Sequence, residues 1–296
     1  MPIELLFAAI ALTSIASKAF SKLCSNHVSQ NSVSDFSIVL IINCTVACLF
    51  FFFSSGFALS LNQSTFLYSV AYAIIVAISL ISNILIYKFT SVSNVSVISS
   101  TCGVIATVCV GGLLFHEDVE ANTLIRLAIM MLAMGFVFAD RRKPRPDQKN
   151  AFLPLILLIA VNTFCSCSNT VILKAFSMST SVTDEHSFFF FTNIVLCIGA
   201  SCVLGYAIVF HLQDVRRSLQ LLKPGKLVSV AGNTVCSNIS SILTVWIIAL
   251  MDVSLFSPLS SALGILTGVI ASLIFREKQG IFAYIAAAVA CMAIMI

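Results

Sequence analysis

Ten runs of about 20 apolar residues, each long enough to cross a hydrocarbon core, fill almost the whole chain. They cover residues 2–21, 35–58, 65–88, 91–115, 120–139, 151–176, 186–211, 226–249, 253–275 and 279–296. Backbone N–H and C=O groups find no water in a bilayer, so spanning segments must be helices or the strands of a closed barrel. The runs are continuous and lack the alternating ten-residue pattern of barrel strands, which selects helices. Composition closes the alternatives. Hydrophobic residues make up 59% of the 296 and charged residues 9%, where about a quarter charged is usual for a soluble domain. A soluble fold cannot hide that much apolar surface. The same numbers exclude a disordered chain, a disulfide scaffold and a nucleic-acid binder. The lipid bilayer is therefore the first expected partner.

The breaks between runs are short and carry turn or charge signals. They include Ser25-Asn26-His27, Ser60 to Gln63, His116-Glu117-Asp118, Thr183-Asp184-Glu185, Lys223-Pro224-Gly225 and Met251-Asp252. The third and fourth runs merge around Lys88 to Ser93. The first run reads as a retained span: Lys18 and Lys22 follow it, and no basic segment precedes it. The longest polar stretch, Asp140 to Asn150, divides the chain into two sets of five runs. The expected organisation is 1–139, a linker 140–150, and 151–296.

Basic residues in short loops mark the cytoplasmic side. With ten spans, one side collects Lys18, Lys22, Lys88, Arg141, Arg142, Lys143, Arg145, Lys149, Arg216, Arg217, Lys223, Lys226, Arg276 and Lys278, and the other only Arg126 and Lys174. This bias predicts a cytoplasmic 140–150 linker and both termini outside. Because each half has an odd number of spans, the halves must run in opposite orientations, and self-similarity between them means an inverted repeat. Lys18-Ala19-Phe20-Ser21 recurs as Lys174-Ala175-Phe176-Ser177. Leu113-Leu114-Phe115-His116-Glu117 recurs as Leu273-Ile274-Phe275-Arg276-Glu277, and the same offset matches Ser100 with Ser260, Ile105 with Ile265 and Thr107 with Thr267.

Five spans plus five, a Phe-x-Glu closing spans 4 and 9, an Ala-rich helix after it and Ser257-Pro258 early in span 9 together resemble the EamA-type branch of the drug/metabolite transporter superfamily. The chain departs from that pattern at two places. Ala11 to Ser17 stand where a Trp-Gly pair is common, and Ile98 stands where span 9 has Pro258. The resemblance implies a central cavity lined by spans 1, 3, 4, 6, 8 and 9. It also implies secondary transport of a small polar or amphipathic metabolite, with export the implied direction.

Chemistry-bearing residues are sparse. The four histidines and the carboxylates sit at run ends or in breaks, no HExxH, GxSxG or P-loop pattern occurs, and Cys165-x-Cys167 lacks the second pair of a zinc site. No enzyme activity, metal or cofactor is expected, and transport would be gradient-driven or facilitated. Amide, hydroxyl and indole groups within the spans, among them Asn83, Asn94, Asn169, Asn238, Ser257 and Trp246, are expected at helix contacts or along a polar lumen; Trp246 could equally face lipid. Lys18 and Lys174 are charges late in spans, costly unless they snorkel or face a cavity. With Glu277 and Glu117 they form two candidate gates, Lys18–Glu277 inside and Lys174–Glu117 outside; the alternative is four interfacial charges, each reaching water alone. The competing functions are a non-transporting membrane scaffold and a flippase for a lipid-linked sugar. The expected setting is the plasma membrane, with a small-molecule substrate, no nucleic acid, and a homodimer compatible with the pattern.

Overall fold

The computed structural model describes residues 3–25, 33–60, 62–89, 104–117, 121–139, 152–179, 185–220, 224–274 and 281–295. Its helices are α1 (Ile3–Ser25), α2 (Val33–Ser54), α3 (Gln63–Phe89), α4 (described over Val104–Leu114), α5 (Ala121–Ala139), α6 (Phe152–Ser179), α7 (Glu185–Phe210), α8 (Leu212–Gln220), α9 (Pro224–Leu250), α10 (Val253–Ile274) and α11 (Ile281–Met295). No strand occurs among the described residues.

Where its residues are described, each apolar run of the sequence falls on a helix; of the fourth run only the part from Val104 onward is described. Among the described residues five stretches are long and apolar enough to cross a membrane: Phe36–Ser54, Gln63–Ser82, Leu157–Ser179, Glu185–Phe210 and Leu227–Leu250. Large apolar side chains such as Leu113, Phe164 and Val209 stand 75%, 70% and 72% exposed. Water would penalise that surface, whereas acyl chains match it. The chain is an all-helical, membrane-embedded protein.

Two boundaries differ from the sequence reading. The second run extends to residue 58, but α2 stops at Ser54. Gly56 and Phe57 take left-handed φ of 64° and 67° there. That conformation is unfavourable for phenylalanine; its ring packs edge-on against Phe52 and Phe53 at 4.9 and 5.5 Å, which offsets the cost. The second difference is α8, where the sequence reading has only a break. Nine residues with Asp214, Arg216 and Arg217 are too short and polar to register as an apolar run. Yet Val215 and Ser218 fall on one stripe and are buried, and the helix rests on α2 and α7. Asp214 in its first turn and Arg217 in its last suit the helix dipole. The following helix begins inside the break, at Pro224, whose fixed φ and missing N–H fit a first helical position.

The chain divides into two compact units, each drawing on both halves of the sequence. One comprises residues 1–74 and 179–246, the other 75–178 and 247–296. In the first, α2 packs along α7. Phe51, fully buried near the end of α2, stacks on Phe189 near the start of α7 at 5.3 Å, so the pair is antiparallel. Phe188 continues the cluster to Tyr72 of α3 at 5.3 Å. In the second unit α5 packs along α11, and Phe136 late in α5 lies parallel to Phe282 early in α11 at 6.4 Å. Met130 of α5 and Ala262 of α10 are buried together with Ile129 and Ile265 around them.

Candidate functional site

The α9–α10 junction is where two apolar helices must end and restart. Helix ends leave carbonyls and N–H groups without partners, and in a bilayer each orphan is expensive. Here Lys174 of α6 donates from Nζ to the Ile248 and Met251 carbonyls at 3.1 and 3.0 Å. Glu117, just past α4, accepts from the Val253 and Ser254 N–H groups, each at 2.8 Å. A cation thus closes the negative end of α9 and an anion the positive start of α10, the arrangement the helix dipole favours.

Local chain geometry delivers Glu117 to that position. His116 takes a left-handed φ of 52°, a region histidine enters more readily than most residues. The chain then turns so that the Glu117 N–H returns to the Gly111 carbonyl at 3.3 Å. Gly111 leaves room for the approach: a Cβ there would stand 2.7 Å from Glu117 Oε2 and 3.3 Å from the Ser254 nitrogen.

The sequence reading brings Lys174 and Glu117 together as an outer gate. The structure does bring them to one junction, but among the described residues they make no ion pair with each other; each caps a different helix end. Each side chain makes two charge-assisted bonds at its cap. Of the inner pair, Glu277 lies outside the described residues, and so does the Lys18 side chain. Asn94 and the Asn83 side chain lie outside them as well.

The remaining polar groups tie helices together. Within the first unit Ser17 of α1 donates to Asn233 of α9 at 2.7 Å, and Thr234 of α9 donates to Asn43 of α2 at 2.5 Å. Within the second, Ser79 of α3 donates to Asn162 of α6 at 2.9 Å. Ser257 is buried in α10, one residue before the helix-interior Pro258. Among the described residues Asn169 Oδ1 in α6 and Asn238 Nδ2 in α9 are buried without a hydrogen-bond partner. Buried amides normally find one, so both atoms are sites where water or a ligand would be held.

Trp246 neither lies wholly in lipid nor points freely into a lumen. Its Nε1–H donates to Glu185 Oε2, while the residue is 37% exposed. Glu185 itself is 5% exposed. The sequence reading assigns this glutamate to a break and overlooks it; the available signal was an acidic residue opening an apolar run that ends its preceding break. An apolar groove of about 940 Å³, lined chiefly by α4 and α6 through residues such as Ala106, Val110, Phe164 and Val171, completes the inventory.

No protein-family model matches the chain, and no curated protein matches it. A solved protein crystal structure shares its fold, with a TM-score of 0.63 and 13% identity over 98% of this chain and 96% of that one.

Proposed function

We propose that this protein is a secondary transporter of a small polar or amphipathic metabolite, working by alternating access with two inverted five-span repeats, as an EamA-type member of the drug/metabolite transporter superfamily would. The observation that carries the reading is the pairing of helices. If the halves repeat, α2 corresponds to α7 and α5 to α11, and these are the pairs that pack together. Both do so antiparallel, through an aromatic contact at equivalent ends. The same correspondence sets α1 against α6 and α3 against α9. A serine–asparagine bond joins α1 to α9 and another joins α3 to α6, so the first helix of each half is tied to the third helix of the other. A scaffold needs no such exchange, whereas a carrier with two equivalent gates around one site does. In this reading ten helices span the plasma membrane, the 140–150 linker is cytoplasmic, and no covalent catalysis takes place.

A thermal-shift screen of the purified protein against small metabolites tests it, because a ligand of the folded state raises stability by mass action. Stabilising compounds should then exchange across proteoliposome membranes. A lipid-linked substrate is the second reading, favoured by the open apolar groove beside α4 and α6; a lipid-flip assay in the same vesicles separates it.

A further inference from the structure

We propose that the Glu185 carboxylate and the partly exposed Trp246 indole form a recognition site for an organic ammonium group. Glu185 is the first residue of α7 and is almost fully buried. A carboxylate has about four acceptor positions, and among the described residues its one hydrogen-bond partner is the Trp246 indole. No cation is paired with it there. Its neighbour His186 is turned elsewhere, with Nδ1 3.1 Å from the Ser54 hydroxyl and its ring against Phe51. The start of α7 contributes only a partial positive charge. A desolvated carboxylate so poorly matched is costly to keep charged, and a cation that reaches it stabilises the charged form.

The indole specifies what kind. Its N–H is held by Glu185, so the ring edge meets the carboxylate, and the residue as a whole is partly exposed. Donation to an anion enriches the ring in electron density, and tryptophan is the strongest cation–π partner among the side chains. An anionic oxygen beside a partly exposed indole matches an alkylammonium, which needs one charge partner and an apolar, polarisable wall. A metal ion asks for several oxygen or nitrogen ligands, and among the described residues no cluster of three such side chains exists.

The site deepens the transport reading by naming its substrate class, and it rests on that reading only for that consequence; binding is scored without flux. Trp246 is the chain's one tryptophan, so fluorescence of the full-length purified protein, excited beyond the tyrosine absorption, reports on this site. Choline chloride should change the emission saturably. Its neutral isostere 3,3-dimethylbutan-1-ol should not, nor should sodium chloride at equal ionic strength. Glu185→Gln keeps an oxygen acceptor for the indole and removes the charge, and it should weaken choline binding roughly tenfold or more, as loss of a charge partner does. An equal response to the neutral isostere or to sodium chloride overturns the proposal in the wild-type protein, whatever the variant does. A Glu185→Gln protein that binds choline within about twofold of wild type overturns it too. Saturable binding without exchange in proteoliposomes would leave the ammonium site standing and sink the transport reading.

Discussion

Swapping the charges at the α9–α10 junction separates a helix clamp from a gate. Lys174→Met keeps the apolar stem and removes two bonds, to the Ile248 and Met251 carbonyls. Glu117→Gln weakens the grip on the Val253 and Ser254 N–H groups, since an amide offers one oxygen in place of two. Bonds to charged groups contribute about 1.5–3 kcal/mol each when buried, and both side chains here are half-buried, so we expect a loss of about 2–3 kcal/mol for Lys174→Met and about 1–2 for Glu117→Gln. At about 2–4 °C per kcal/mol, the first should lower the Tm of detergent-purified protein by several degrees. The decisive variant is the double swap, Lys174→Glu with Glu117→Lys. A gate salt bridge would be rebuilt by it. A clamp would not: a carboxylate would face the carbonyls of α9 and an ammonium the N–H groups of α10, both opposed by the helix dipoles. The double swap should be at least as unstable as the worse single variant. Recovery of more than half of the single-variant loss would refute the clamp.

Gly111→Ala should destabilise the protein, although glycine to alanine inside a helix ordinarily stabilises by about 0.5–1 kcal/mol, because the new Cβ would stand 2.7 Å from Glu117 Oε2; a rise in Tm would count against the close approach. Phe51→Ala should cost about 3 kcal/mol, the lower end for a buried phenylalanine, since lipid replaces part of the transfer term while the stack on Phe189 is lost; urea or thermal unfolding in detergent reads it. Ser17→Ala and Ser79→Ala should each cost about 0.6 kcal/mol, the mean for an interhelical bond in lipid, and their similar size would fit two equivalent helix ties. A cysteine placed in the 140–150 linker should resist an impermeant thiol reagent in intact cells, as the lysine and arginine bias predicts.

Helix positions were legible in the sequence because a bilayer imposes one length and one secondary structure on an apolar run. What escaped were contacts decided by polar geometry. The helix α8 has too few apolar residues to announce itself, and its burial comes from α7, which immediately precedes it, and from α2, far along the chain. Lys174 and Glu117 were recognisable as exceptional charges, but their spacing cannot reveal that two helix ends lie between them and compete for both. Glu185 carried the weakest signal. A glutamate opening a run looks like a loop residue until Trp246, 61 positions away, is seen to cover it. The matched words Lys-Ala-Phe-Ser and Phe-x-Glu concern helix ends, and the described copies of those ends hold the two capping charges.

Entrance counterflow tests the central claim, that this chain is a carrier, most directly. Vesicles containing the purified protein would be loaded with a compound that stabilises it in the thermal screen, then diluted into the same compound at trace, labelled concentration. A carrier that alternates between two faces takes up label transiently above its equilibrium level and then releases it, with the overshoot abolished when the internal load is omitted. The account predicts that overshoot. Uptake no greater than in protein-free vesicles, for every compound that stabilises the protein, would contradict it.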